Sequence, residues 1–463
     1  MEKNDKWMVS VMVGPISFLD EGVKEVISTA KDLAGADTLL VTAHGYNPEL
    51  IERVSYKTGH GFSGPHGHPG GTFVATHPEY YAGIPLGDTR ADSGPFAGFD
   101  VLERVIPEAR AQGMRVEVFH LEAASTGGRE LNVAGFPRVL EIDALGRRAS
   151  LPCINHPDYR AWQLALFEDM YKSYDIDAFT WGMERWGPLH QVLTGDVPAC
   201  FCDHCQNVMR AEGMSATRVL QGYKELWSSV QRWRTKPSLD SPFVELIRIV
   251  LGNPEILAWE RTWTNRYMSI HRELYGVAKW IAPDRPFGLC LWHPYFINPL
   301  LRAEWDLSEI AASADSISAF LLHFPEAARI EHFLSSLSQG PMKGFPPSAL
   351  YSAFFEILGV DLGPYADVVE AGRIEGLPAS FVAEGVQTIR KRVGDAMPIY
   401  PLIGIDVVQE GTDGVMNERH VSEAVEAALN AGADGIHIAR NYAEMRIANL
   451  KAVGDSLRTM KRI

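Results

Sequence analysis

One unit recurs along the chain and narrows the folds open to it: an amphipathic helix, a short turn carrying Gly or Asp, then an apolar run rich in β-branched residues. "VISTAKDLAGADTLLVTAHG" (26–45) and "AVEAALNAGADGIHIARNY" (424–442) share the turn AGAD. "VIPEARAQGMRVEVFHLE" (105–122) and "FEDMYKSYDIDAFTWGME" (167–184) follow the same plan. The runs are apolar on successive residues, the pattern of parallel strands buried on both faces. Eight candidates stand out: Trp7 to Val13, Thr38 to Ala43, Arg115 to Phe119, Ala178 to Gly182, Phe287 to Trp292, Ser316 to Leu322, Ile399 to Ile405 and Gly435 to Ala439. Eight strands alternating with helices predict an α/β fold, a (β/α)8 TIM barrel. A doubly wound open sheet shares the alternation but lacks closure.

Three insertions lengthen the predicted barrel. Residues 47–100 hold a Gly/His/Pro-rich loop, residues 124–152 read as a hairpin turning at Gly146, and residues 206–285 carry long helices rich in Trp and Leu. No Pro/Ser linker separates a second unit, so residues 1–463 are expected to form a single elaborated barrel domain. The formal net charge of −15 opposes a nucleic-acid or anionic-membrane surface. No apolar run is long enough to span a bilayer, and the first one is too short for a signal peptide. The expectation is a cytoplasmic protein acting on small molecules; the aromatic helices of 206–285 would suit contact with a second subunit.

"PACFCDHC" (198–205) places three of the chain's five cysteines within six positions. Thiolates this dense suit tetrahedral Zn²⁺. Cys200, Cys202 and Cys205 need a fourth ligand, for which Cys153 in "LPCINHPDYR" is the first candidate and His204 the local alternative. A Cys₄ set closes the coordination sphere, which makes the zinc structural. Cys290, inside the fifth strand, reads as a plain buried thiol.

A cysteine ahead of strand four, then C-x-C-x-x-C soon after a strand-four glutamate, resembles the zinc cluster of family 42 β-galactosidases. The stretches "CINHPDYRAW", "YDIDAFTWGMERWGPL", "CFCDHC", "PIYPLIGIDVV" and "GADGIHIARNYAEM" are similar to glycoside-hydrolase-like (β/α)8 families. The resemblance implies a barrel with a carbohydrate-active site at the C-terminal ends of its strands. It also has departures. That family's clan places Asn before the acid/base, where this chain has Met183, and Glu on strand seven, where it has Asp406.

Strand ends are where such barrels carry chemistry. Here they supply His44 and Tyr46, His120 and Glu122, Trp181, Glu184 and Arg185, His293, His323, Asp406 with Glu410 beyond it, and Arg440, Tyr442 and Glu444. Glycoside hydrolysis needs two carboxyl groups facing each other across the scissile bond. Strands four and seven of an eight-stranded ring are opposed, so Glu184 is expected as acid/base and Asp406 as nucleophile or base. Glu122 or Glu410 could take one of these roles. His44, His120, Glu122, Trp181, Arg185, His293, His323, Arg440 and Tyr442 are the expected contacts to a small carbohydrate substrate, with Trp186, Trp292 and Tyr295 as further stacking rings.

Two other readings compete. His60, His66, His68 and His77, with the strand-end histidines and carboxylates, could hold a divalent metal, as in sugar isomerases or metal-dependent hydrolases. The loop reads more simply as a lid. "GHGFSG" (59–64) matches a dinucleotide fingerprint in spelling alone, since Pro65 follows it instead of a helix. The remaining reading is a non-catalytic carbohydrate-binding barrel.

Overall fold

The structure, a computed structural model, describes residues 7–45, 70–122, 133–236, 240–407 and 415–463. Eight parallel strands close into a barrel. We number them β1 (Met8–Val13), β2 (Thr38–Val41), β3 (Arg115–Leu121), β4 (Ala178–Gly182), β5 (Phe287–Leu291), β6 (Ser316–Leu321), β7 (Ile399–Gly404) and β8 (Gly435–Ala439). Closure is direct: β1 pairs with β2 on one side, Ser10 opposite Thr38, and with β8 on the other, Met8 opposite Gly435. An open sheet is thereby excluded, and each apolar run of the sequence is a barrel strand.

The barrel interior has two zones. Ser10, Glu117, Thr180, Ser318 and His437 are buried in the N-terminal half. His437 Nδ1 meets Ser10, its Nε2 lies 3.0 Å from Ser318 Oγ, and Thr180 Oγ1 donates to Glu117 at 2.5 Å. Above them Met12, Leu40, Phe119, Leu121, Cys290, Phe320, Leu322 and Leu402 form an apolar plug, with Trp292 packed on it. The plug is the floor beneath the C-terminal mouth.

Helices such as Pro157–Ser173 and Glu255–Ile281 cover the outside. The expected hairpin is present, Leu140–Ile142 antiparallel to Arg148–Pro152, with Gly146 at φ 80 in its turn. The insertion after β4 is helical, and helix Pro242–Gly252 exposes Val244, Ile247 and Leu251. Among the described residues no helix is long and apolar enough to cross a membrane.

Candidate active site and metal centre

The ends of β4 and β5 build one wall of the mouth. Glu184 is partly buried, and its backbone N–H donates to Tyr267 Oη at 2.9 Å. Trp186 stacks on His190, centroids 3.5 Å apart and planes 9° off parallel, and meets Trp292 at 4.4 Å. His293 follows, its Nδ1 2.8 Å from Glu326 Oε1, while Arg329 donates to Glu326 Oε2 at 2.9 Å. Burial alone would raise the Glu326 carboxyl, but His293 and Arg329 together hold it below the usual range. Burial, then Arg329, brings His293 down to about 4 against the pull of Glu326. At neutral pH the imidazole is therefore uncharged, with its proton on Nδ1 facing Glu326. Its Nε2 has no partner among the described residues and is left as an acceptor. His190, Glu326 and Arg329 were not among the sequence candidates. Only their neighbours in space, far along the chain, give them a role.

Several predicted contacts lie elsewhere. Trp181 and His120 sit on the outer faces of β4 and β3. Trp181 packs on Tyr267 and His271, and His120 on Phe179 and His44. Inward positions on these strands belong to Thr180 and Gly182, and to Phe119 and Leu121. Burial brings His120 down to about 4. His44 is buried beside it, Nδ1 2.8 Å from Thr72 Oγ1. Glu122 and Arg185 face each other in a fully buried ion pair, Nε to Oε2 at 2.6 Å and Nη2 to Oε1 at 2.7 Å. Tyr159 Oη donates to the same Glu122 at 2.5 Å, and Arg185 reaches the Pro152 carbonyl at 2.6 Å and Glu141 at 3.3 Å. This cluster joins β3, the β4 loop and the hairpin. Tyr295 is fully buried, so it offers no stacking face.

Asp406 leaves β7 with φ 52, a left-handed turn that Asp tolerates better than most residues. The turn sends its carboxylate to the start of helix Ile447–Thr459, where it accepts from Arg446 N at 2.8 Å, Arg446 Nη2 at 2.7 Å and Asn449 Nδ2 at 2.9 Å. Arg440 pairs with Glu444 at 3.1 Å, and Tyr442 Oη donates to Glu21 at 2.8 Å. These contacts fasten the loop after β8. His323 is buried under the segment that follows β6. Tyr46, His60, His66, His68 and Glu410 lie outside the described residues; His77 is bound to Asp169 at 2.6 Å on the barrel flank.

The four cysteines do converge. The Sγ atoms of Cys153, Cys200, Cys202 and Cys205 lie within 4.8 Å of one another. Cys153 stands 3.5 Å from both Cys205 and Cys202. A tetrahedron of thiolates around Zn²⁺, with Zn–S of about 2.3 Å, sets its sulfurs about 3.8 Å apart. Donors surround the group as a thiolate site requires: Ile142 N on Cys200 at 3.3 Å, Asn155 N on Cys153 and Asn155 Nδ2 on Cys205, both at 3.4 Å. The residues fit a zinc ion, and His204 is not needed; it stacks on His156 at 4.2 Å. Among the described residues this is the one group of three or more such side chains placed to hold a metal.

No family model matches the chain, and no curated protein matches it by sequence. Solved structures do match. A β-galactosidase from Bacillus circulans sp. alkalophilus superposes with TM-score 0.51 at 14% identity, covering 99% of this chain and 57% of that one. A cold-adapted β-galactosidase from Rahnella sp. R3 gives 0.53 at 13%, covering 99% and 57%. The glycoside hydrolase domain of PgaB (BpsB) from Bordetella bronchiseptica gives 0.50 at 11%, covering 98% of both. The chain thus spans little more than half the length of the β-galactosidases. At these identities the likeness is one of fold: this is the TIM barrel found in glycoside hydrolases.

Proposed function

We propose that the chain is a glycoside hydrolase with Glu184 as its proton donor. One observation carries the reading: Glu184 stands at the end of β4 on the mouth wall that also holds Trp186, Trp292 and His293. Flat rings suit the C–H faces of a pyranose, a half-buried carboxyl suits proton donation, and an imidazole acceptor suits a sugar hydroxyl. Glu122 is committed to Arg185 and Glu326 to His293 and Arg329, so neither competes for the role.

Asp406 is the second carboxylate of this reading, and it has a structural duty to Arg446 and Asn449 as well. The metal-dependent alternative is weaker, because among the described residues none of His44, His120, His293 and His323 joins a converging group of three or more metal-binding side chains. Structural zinc at the four cysteines completes the proposal.

The test is hydrolysis of an aryl-glycoside panel with and without a mild chelator, the fold followed by circular dichroism. Activity is expected to survive chelation for as long as the fold does. Glu184→Gln is expected to lose about 100- to 10,000-fold in kcat while staying folded. Near-normal turnover by that variant would remove Glu184 from the mechanism. Loss of activity to chelator, without unfolding and restored by a divalent ion, would favour the metal reading. Sugar binding without turnover would leave a binding barrel.

A further inference from the structure

Helix Pro242–Gly252, in the insertion after β4, is apolar on two sides. Ser241 caps its first turn, Oγ accepting from Val244 N at 3.3 Å. The helix packs on helix Ala216–Thr235 and buries Pro242, Leu246 and Ile249. Its outer side carries Phe243, Val244, Ile247 and Leu251, and Leu257 follows just past the turn at Asn253 and Pro254. These side chains are between 41% and 77% exposed. A surface helix ordinarily turns polar residues to solvent, and one that is hydrophobic all round belongs in an interior. Together they leave on the order of 400 Å² of apolar surface in water, a patch of the size that marks an interaction site.

The layout of the patch selects its partner. Phe243, Ile247 and Leu251 follow one another at four-residue steps, so they form a single ridge, symmetric about Ile247. Such a ridge matches its own copy run in the opposite direction. The charges at its edge are compensated within the chain, Asp240 by Arg248 at 3.1 Å and Glu245 by Arg232 at 3.1 Å. The face therefore has no net charge with which to recruit a charged partner, and two copies meeting there bring no unpaired charges together. The net charge of −15 opposes an anionic membrane surface. The apolar area is about half of the roughly 800 Å² per partner that a standard interface buries, and whole interfaces are about 56–65% apolar with a polar rim.

We propose that this face is the contact between two copies of the chain, related by a two-fold axis through Ile247. Ile247 of one copy then meets Ile247 of the other, and Phe243 of each meets Leu251 of the other at the two ends of the ridge. The contact is separate from Glu184 and does not depend on hydrolysis there.

The experiment is sedimentation velocity of the full chain at micromolar concentrations, with the fold followed by circular dichroism. The wild type is expected to sediment as a dimer. Ile247→Glu and Ile247→Lys each set like charges against each other on the axis, at a position exposed enough to leave the fold intact. Each should weaken the dimer by about 100-fold or more. An equimolar mixture of the two variants should restore the dimer, because the axis then brings opposite charges together. Glu184→Gln should remain dimeric. A folded wild type that stays monomeric, or that assembles in a number other than two, overturns the proposal. So does a dimer that Ile247→Glu leaves unchanged, which would sit on another face. So does a pair of variants that stay monomeric when mixed, which would take Ile247 off the axis.

Discussion

At the residue scale the mouth turns on which polar groups are committed to the fold and which are held ready. Arg185 is committed. Its guanidinium is 1% exposed between Glu122 and Glu141 and is anchored on a backbone carbonyl. Removing one member of such a cluster leaves an unpaired buried charge, which costs about 3–5 kcal/mol. Arg185→Met is expected to lower the free energy of unfolding, measured by urea titration, by an amount in that range. A stability close to wild type, with only substrate affinity lost, would return Arg185 to the substrate. His293 is the opposite case. Glu326 fixes its proton on Nδ1, and a Gln in place of Glu326 can present an N–H there and move the proton to Nε2. The acceptor at Nε2 then becomes a donor. For Glu326→Gln we expect a fall of about tenfold in kcat/KM, roughly one hydrogen bond, carried mainly by KM. His293→Gln, which can still offer an acceptor, should recover part of it. If Glu326→Gln lowers the melting temperature and leaves kcat/KM alone, Glu326 serves the fold only.

At the element scale the cysteine clasp joins two pieces that lack a shared strand of the barrel. Cys153 ends the hairpin, Cys200 to Cys205 start the insertion after β4, and Phe201 N donates to Ile142 O at 2.7 Å to lay that insertion along the hairpin. Cys202→Ser should cost the bound zinc, about one ion per chain, and lower the melting temperature. Cys290→Ser, at a buried thiol remote from the cluster, should keep the zinc. Full zinc content in Cys202→Ser, by elemental analysis of the purified protein, would count against the clasp. The same elements show what a sequence can reveal. Strand positions were legible because helix-then-apolar-run is a local pattern, and the cysteines because their spacing is short. The facing of Trp181 and His120 was hidden: a strand buried on both faces has no polar alternation to tell the barrel interior from the helix layer. The anchoring of Asp406 was hidden for another reason. Arg446 and Asn449, which take its oxygens, lie beyond β8 on the last helix, and nothing in "GIDVV" announces them.

At the scale of the whole molecule the protein keeps an unusual number of ionisable groups out of water, and they pull stability in opposite directions. Burial holds His44, His120, His190, His271, His293, His323 and His437 below the ordinary histidine value. Burial raises Glu117 and brings Glu304 up to about 7. A lowered histidine leaves the unfolded chain binding more protons between its folded and unfolded values, so stability falls as pH drops through that window. A raised carboxyl leaves the folded chain binding more, so stability falls as pH rises through its own window. The windows overlap between about pH 4.5 and 6.5. The wild-type curve is thus a difference of two families, and a single-site variant is the cleaner measurement. His271 is the best choice: it is fully buried against Trp181 and Phe287, and neither ring nitrogen has a hydrogen-bond partner among the described residues. Burial first, then Arg272, brings it down to about 3. At pH 7.5 both states keep it neutral, and His271→Phe relieves only the unpaired nitrogens, about 1 kcal/mol. At pH 5 the unfolded chain protonates the histidine and the folded chain does not, which adds roughly 2 kcal/mol to the advantage of phenylalanine. Urea unfolding of both proteins at the two pH values should show the variant's advantage widening on acidification. An advantage that stays constant would mean that His271 takes up a proton in the folded protein as readily as in the unfolded one.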